Sequence, residues 1–136
     1  MSEFALDPRL ANDTRRVTSL ALCDVLLMND ARFPWLVLVP RQDGLVEICD
    51  LPPEAQAALW QEVNLAAQAL RTLSPFDKLN LGALGNIVRQ LHVHVVGRRE
   101  GDAAWPGPVW GSGRTEPYGE GALVAVIEKM RAALAS

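Results

Sequence analysis

The chain has two histidines, and both fall in Gln90-Leu91-His92-Val93-His94-Val95-Val96. They are spaced i, i+2 inside a β-branched apolar run. Alternate side chains of a strand share a face. The spacing therefore predicts Gln90, His92 and His94 on one face, with Leu91, Val93 and Val95 on the other. A hydrocarbon core needs no imidazole pair, so this face is the first candidate for chemistry.

Four readings fit it. The plainest is structural, each ring half-buried and satisfied by a backbone carbonyl. A second is metal, since His-x-His presents two imidazoles to one ion. A closed zinc site usually takes four ligands, and no further His or spaced Cys/Asp/Glu cluster offers them, so no metal is expected. A third is nucleophilic attack on phosphorus. Imidazole is largely unprotonated near neutral pH yet still electron-rich. If His92 attacks, its second nitrogen must be held by an acceptor, and His94 sits near the phosphate oxygens or the leaving group. The glycine turn Gly85-Asn86-Ile87 lies just upstream, where backbone N–H groups can face an anion. A fourth reading keeps the pocket as a nucleotide-binding module without efficient turnover.

The elements that must position this face follow from periodicity and punctuation. Asp7-Pro8 opens a short helix through Leu10 to Asn12, with Pro at the first helical position. Leu20 to Met28 reads as a strand, Asn29 to Arg32 as its turn and Trp35 to Val39 as a second strand ended by Pro40. Together they form an antiparallel hairpin. A helix starts at Asp50-Leu51-Pro52-Pro53-Glu54, with Asp50 or a neighbour as cap. It runs to about Leu73, with Leu59, Val63, Ala66, Ala67 and Leu70 at helical spacing, and Ser74-Pro75 stops it.

Strands follow at Asp77 to Leu81 and Gln90 to Val96, joined by the turn Gly82 to Asn86. The Pro/Gly-rich stretch from Gly101 to Gly113 is an ordered loop in which Trp105 and Trp110 serve as anchors or as a wall for a base. A last helix, Gly121 to Leu134, turns Leu123, Val126, Ile127, Met130 and Leu134 to one side. The expected fold is α+β: one domain over residues 1–136, an antiparallel sheet with a long central helix and a C-terminal helix. Trp60, Phe33, Phe76 and Cys23 are read as packing. Arg98, even-numbered like the histidines, continues their face and is a phosphate partner or a solvated strand end.

Composition bounds the rest. Hydrophobic residues are 49% and charged residues 21%, the balance of a folded globular chain. The net charge of −3 gives no global field for nucleic acid, although Arg89, Arg98 and Arg99 form a local basic patch. No apolar run approaches the ~20 residues of a membrane span, and the acidic start does not read as a secretory leader. Cys23 and Cys49 make no framework, and the expectation is reduced thiols in a cytoplasmic protein.

The run Gln90-Leu91-His92-Val93-His94-Val95-Val96 resembles the signature of the histidine triad (HIT) family: His, apolar, His, apolar, His, two apolars. The resemblance extends over roughly residues 15–110. It takes in Asn80 and Gly85-Asn86, the strand ending Leu36-Val-Leu-Val-Pro40, the amphipathic helix between them and the later Trp-Pro. It implies an antiparallel sheet with flanking helices, a homodimer, and hydrolase or nucleotidyl transferase chemistry on a small-molecule nucleotide, with no cofactor. By resemblance His92 is the nucleophile at the α-phosphorus and His94 lies by the phosphate and leaving group. Asn80 and Gly85 to Ile87 match the phosphate-contacting segment, and Asn29 and Asp30 fall near the ribose and base.

Three departures stand out. Gln90 occupies the first His position and cannot titrate near neutrality, so it orients at most. Trp35 stands where many members have a further His, which is expected to remove a polar contact. Ile87 offers only its backbone where some relatives have Ser.

Overall fold

The computed structural model describes residues 4–135. In chain order it contains α1 (Pro8–Asp13), β1 (Thr14–Ser19), β2 (Cys23–Met28), β3 (Trp35–Pro40), α2 (Pro53–Leu73), β4 (Lys78–Gly82), β5 (Val93–Arg98) and α3 (Glu120–Ala135). The strands form one antiparallel sheet in the order β1-β2-β3-β5-β4. This is the expected α+β architecture, with one strand more than the hydrophobic pattern showed.

The extra strand is β1. Its sequence, Thr-Arg-Arg-Val-Thr-Ser, holds a single core residue, Val17, and its register to β2 slips between Arg16 and Thr18. A charged edge strand with an irregular register carries no clean alternation. The first expected strand also began too early, at Leu20. Residues 20–22 instead make the turn into β2, where the Glu62 carboxylate accepts the N–H groups of Leu22 and Cys23, each at 2.8 Å.

Both faces of the sheet are covered, which explains why β2 and β3 read as nearly continuous apolar runs. On one face α2 and α3 pack over Val25, Leu27, Leu36, Leu38, Val93 and Val95. All five expected core positions of α2 are buried. Trp60 is an exception to the packing assignments, being 44% exposed. Phe33 and Cys23 are buried, and Phe76 packs against the core.

The start of α2 differs in one detail. Asp50 does not cap it. Pro52 is the N-cap, without a side-chain bond, while Asp50 closes the preceding 3-10 turn by accepting from Glu47 N at 3.0 Å.

The opposite face is lined by Leu26, Trp35, Val37, Val39 and Val96, and is covered by Leu10, Phe33 and Val109. This smaller layer is built from loops and the N-terminal segment rather than from long helices. It leaves room for a cavity beside the histidines. Among the described residues no helix is long and apolar enough to cross a membrane.

Candidate active site

The strand bearing His94 is shorter than its sequence suggests. β5 begins at Val93, paired with Leu38 and followed by His94 opposite Gly82. Two residues beyond Leu38 the neighbouring strand ends at Pro40, which has no N–H to offer a ladder. On the other side β4 leaves the sheet at Gly82. Residues 90–92 therefore lie outside the strand. Leu91 still points to the large core with Val93 and Val95, and His92 and His94 still share the opposite side. Gln90 does not join them.

Gln90 turns to the N-terminal segment instead. Its Oε1 accepts from Asp7 N at 2.8 Å, and its Nε2 donates to Ala5 O at 2.9 Å. The expected orienting group is present, but it is the backbone of Gln90, not the amide. His92 Nδ1 lies 2.6 Å from Gln90 O. A carbonyl oxygen only accepts, so Nδ1 carries the proton. In the neutral ring the lone pair is then on Nε2.

His94 has the opposite arrangement. Trp35 Nε1 donates to His94 Nδ1 at 3.0 Å. An indole N–H only donates, so Nδ1 is the acceptor and the proton of the neutral ring sits on Nε2. Trp35 pairs with Val96 in the ladder, which makes it a diagonal same-face neighbour of His94. The polar contact expected to be lost at Trp35 is thus replaced by a different donor. Burial, and secondarily the neighbouring His92, push the His94 pKa down to about 3. The ring stays uncharged at neutral pH. The two imidazoles meet edge to face, centroids 4.9 Å apart, one offering a lone pair and the other an N–H.

Both rings line a cavity of about 680 Å³. The turn Gly85 to Val88 forms one side, with Gly85 at φ 71°, a left-handed conformation that glycine adopts without strain. Asn86 and Ile87 are in this wall. Asn29 and Asp30 also line the cavity, but their side-chain acceptors are engaged. Asn29 Oδ1 accepts from Tyr118 N at 3.0 Å. Burial alone would raise the Asp30 carboxyl, but bonds from the Arg32 guanidinium, Arg32 N and Glu116 N outweigh it and hold the pKa below the usual carboxylate value. Asp30 is a clamp on Arg32 (Oδ2 to Nη2 2.7 Å), not a free acceptor.

Asn80 and Arg98 do not line the cavity. Arg98 continues the face of His94, but its side chain is buried, its Nε and Nη2 donating paired hydrogen bonds to the Asp102 carboxylate at 2.8 and 2.9 Å and its Nη1 donating to Asn80 Oδ1 at 2.9 Å. It also lies over the rings of Phe33 and Trp105. Neither reading of Arg98, phosphate partner or solvated strand end, matches this placement. Asp102 further accepts from Arg99 N, Ala104 N and Trp105 N, so the pair organises the loop that follows β5. The Arg98 bonds depress the Asp102 pKa well below the ordinary range. At the end of that loop Trp110 reaches the cavity, 5.5 Å from His94 between ring centroids, whereas Trp105 stays outside it.

Sequence reasoning missed Arg9, Asn12, Asp13 and Arg32 as cavity residues. The first three sit some eighty positions from the histidines, and no local pattern links them. The described residues contain no group of three or more His, Cys, Asp or Glu that could hold a metal ion.

The fold is shared with known proteins. The family profile described as HIT domain matches residues 9–101. No curated protein matches at a significant level. Among solved structures, the chain is similar to a histidine triad protein from Sinorhizobium meliloti 1021, with 48% identity, TM-score 0.92 and 96% of each chain covered. It is similar to one from Marinobacter aquaeolei VT8, with 46% identity, TM-score 0.94 and 98% of each chain covered. A third, from Bradyrhizobium japonicum, has 43% identity and TM-score 0.94 over 98% of this chain and 99% of that one.

Proposed function

The chain belongs to the histidine triad family, and from that premise we propose that it is a nucleotide hydrolase or nucleotidyl transferase acting at the α-phosphorus of a nucleoside phosphate derivative. The observation that carries this reading is the complementary pair of tautomers. His92 is held by Gln90 O with its Nε2 lone pair available, and His94 is held by Trp35 with its Nε2–H available.

In the proposed course, His92 Nε2 forms a bond to the α-phosphorus as the bond to the leaving group breaks. A nucleotidyl-histidine results. The His94 N–H and backbone N–H groups of the turn Gly85 to Ile87 stabilise the added charge on the phosphoryl oxygens. Water or another acceptor then attacks the same phosphorus, releases the nucleotide and returns the electron pair to Nε2. The base and ribose occupy the rest of the cavity, where Asn29, Asn86 and Trp110 line the wall. No cofactor is called for.

The test is incubation of wild type and His92→Ala with nucleoside phosphoramidates and dinucleoside polyphosphates, with mass spectrometry for the nucleotidyl adduct. The expected result is turnover by wild type, an adduct on His92, and loss of at least about a thousandfold in rate in the variant. Equal rates in both proteins would remove His92 from the chemistry.

One observation favours a second reading, a nucleotide-binding module with little turnover. Gln90 cannot titrate and His94 is uncharged down to about pH 3, so neither supplies a ready acid for a leaving group. That reading predicts nucleotide binding by wild type with neither product nor adduct.

The reading also includes a homodimer and a reducing, cytoplasmic setting. Among the described residues one edge of β4 is unpaired and Leu81 on that strand is exposed, which supports the first. Cys23 and Cys49, both free, support the second.

A further inference from the structure

Three hydrogen bonds fasten the N-terminal segment to the turn that precedes His92. Asp7 N donates to Gln90 Oε1, Gln90 Nε2 donates to Ala5 O, and Arg9 Nη1 donates to Ile87 O at 3.0 Å. All three cross 78 to 85 positions of sequence. The fastened segment continues into α1, and Arg9, Leu10, Asn12 and Asp13 form a wall of the cavity. Gln90 is well suited to this role. Its amide has a donor and an acceptor on one planar group, so it can bond a backbone N–H and a backbone C=O together. A neutral imidazole has one of each on opposite sides of the ring.

The cavity has two cationic side chains among the described residues, Arg9 and Arg32. Arg32 is spent on Asp30 and on Ser112 O. Arg9 is exposed, and among the described residues it makes no ion pair and uses only Nη1 in a side-chain hydrogen bond. It stands at the outer end of the phosphate turn, since Ile87 is 76% exposed, whereas His92 lies at the buried end with 6% exposure. Arg9 and His92 line the same cavity, Arg9 beside its exposed end and His92 at its buried one.

We propose that Gln90 is a positioning residue that clamps residues 5–9 as a wall of the site, and that this wall presents Arg9 to a second anionic group of the substrate, beyond the phosphorus that His92 attacks. The substrate class is a nucleotide whose α-phosphorus bears a negatively charged substituent, such as a further phosphate. A guanidinium with free donors pairs well with such a group, by charge and by paired N–H bonds. The inference rests on the nucleotide reading above but needs binding only, not turnover.

The test titrates the full chain with adenosine 5′-monophosphate and adenosine 5′-diphosphate by calorimetry, in wild type, Arg9→Ala and Gln90→Leu. Wild type is expected to bind the diphosphate about tenfold more tightly, a normal preference for one added charge-assisted contact. Both variants are expected to bring the ratio of the two dissociation constants close to one. Hydrogen exchange at the Asp7 amide separates the roles: it speeds up in Gln90→Leu and stays slow in Arg9→Ala. A ratio unchanged in Arg9→Ala overturns the anion role. Equal Asp7 exchange in wild type and Gln90→Leu overturns the clamp. Binding without turnover or adduct would sink the enzymatic reading and leave this inference standing, whereas a wild type that binds neither nucleotide overturns both.

Discussion

Trp35 Nε1 donates a 3.0 Å hydrogen bond to Nδ1 of His94 across two neighbouring strands, and that one bond decides which nitrogen of His94 faces the cavity as a donor. The rings are 5.7 Å apart between centroids, and both residues are buried. A tryptophan here does the work of a tautomer lock, because indole can only give a proton to the bond.

Trp35→Phe keeps an aromatic ring in place and removes the donor. A buried imidazole nitrogen is then left without a partner, which costs about 1–3 kcal/mol. Urea unfolding should show that loss. Nitrogen NMR of the imidazoles should show His94 changing from one tautomer to a mixture. A His94 spectrum identical to wild type would mean that something other than Trp35 fixes the ring.

Acid stability follows from the same burial. The His94 pKa is lowered to about 3, against an ordinary value of 6.5. The unfolded chain binds a proton that the folded chain refuses, so stability is full above about pH 6.5 and falls as pH drops toward 3. At pH 5 the loss relative to pH 7 is about 2 kcal/mol from this group alone. Denaturant melts at the two pH values measure it, and His94→Asn should flatten that slope. Asp30 and Asp102, whose pKa values are depressed, act in a lower window. Their contribution is complete above the unfolded carboxylate value near 3.8 and is lost as pH falls below it.

Arg98 and Asp102 form a buried pair that anchors the loop carrying Trp110. Breaking it from one side leaves an uncompensated buried charge, so Arg98→Met should cost about 3–5 kcal/mol. The double variant Arg98→Met/Asp102→Leu should recover part of that loss, because no charge is then stranded. If the double variant is no more stable than Arg98→Met alone, the cost lies in packing against Phe33 and Trp105 rather than in the stranded carboxylate.

The free edge of β4 carries the proposed dimer. Light scattering should give twice the chain mass of 14.8 kDa. Leu81→Lys puts a charge on that edge and is expected to shift the protein toward monomer. A monomeric wild type at working concentration would count against a symmetric assembly through this strand.

Helix α2 was legible because its periodic apolar face had only one place to go, onto the sheet. The histidine pair was legible because alternation survives wherever one side faces a core, and Leu91, Val93 and Val95 supply that side. β1 was not, since its two arginines and shifted register erase the period. Arg98 had the right parity and the wrong partner: alternation gives the face of a residue, not what it meets there.

Residue order alone therefore determined the α+β frame, the turn before His92 and the pairing of two imidazoles on one side, because these depend on local periods of hydrophobicity and on glycine and proline. Only the tertiary structure decided that Trp35 and the Gln90 carbonyl set opposite tautomers, that the Gln90 amide binds residues 5 and 7, and that Arg9 reaches the turn. Those bonds join segments that lie far apart in sequence or depend on how the chain bends around one carbonyl, and hydrogen-bond direction is fixed by three-dimensional approach, which no one-dimensional period encodes.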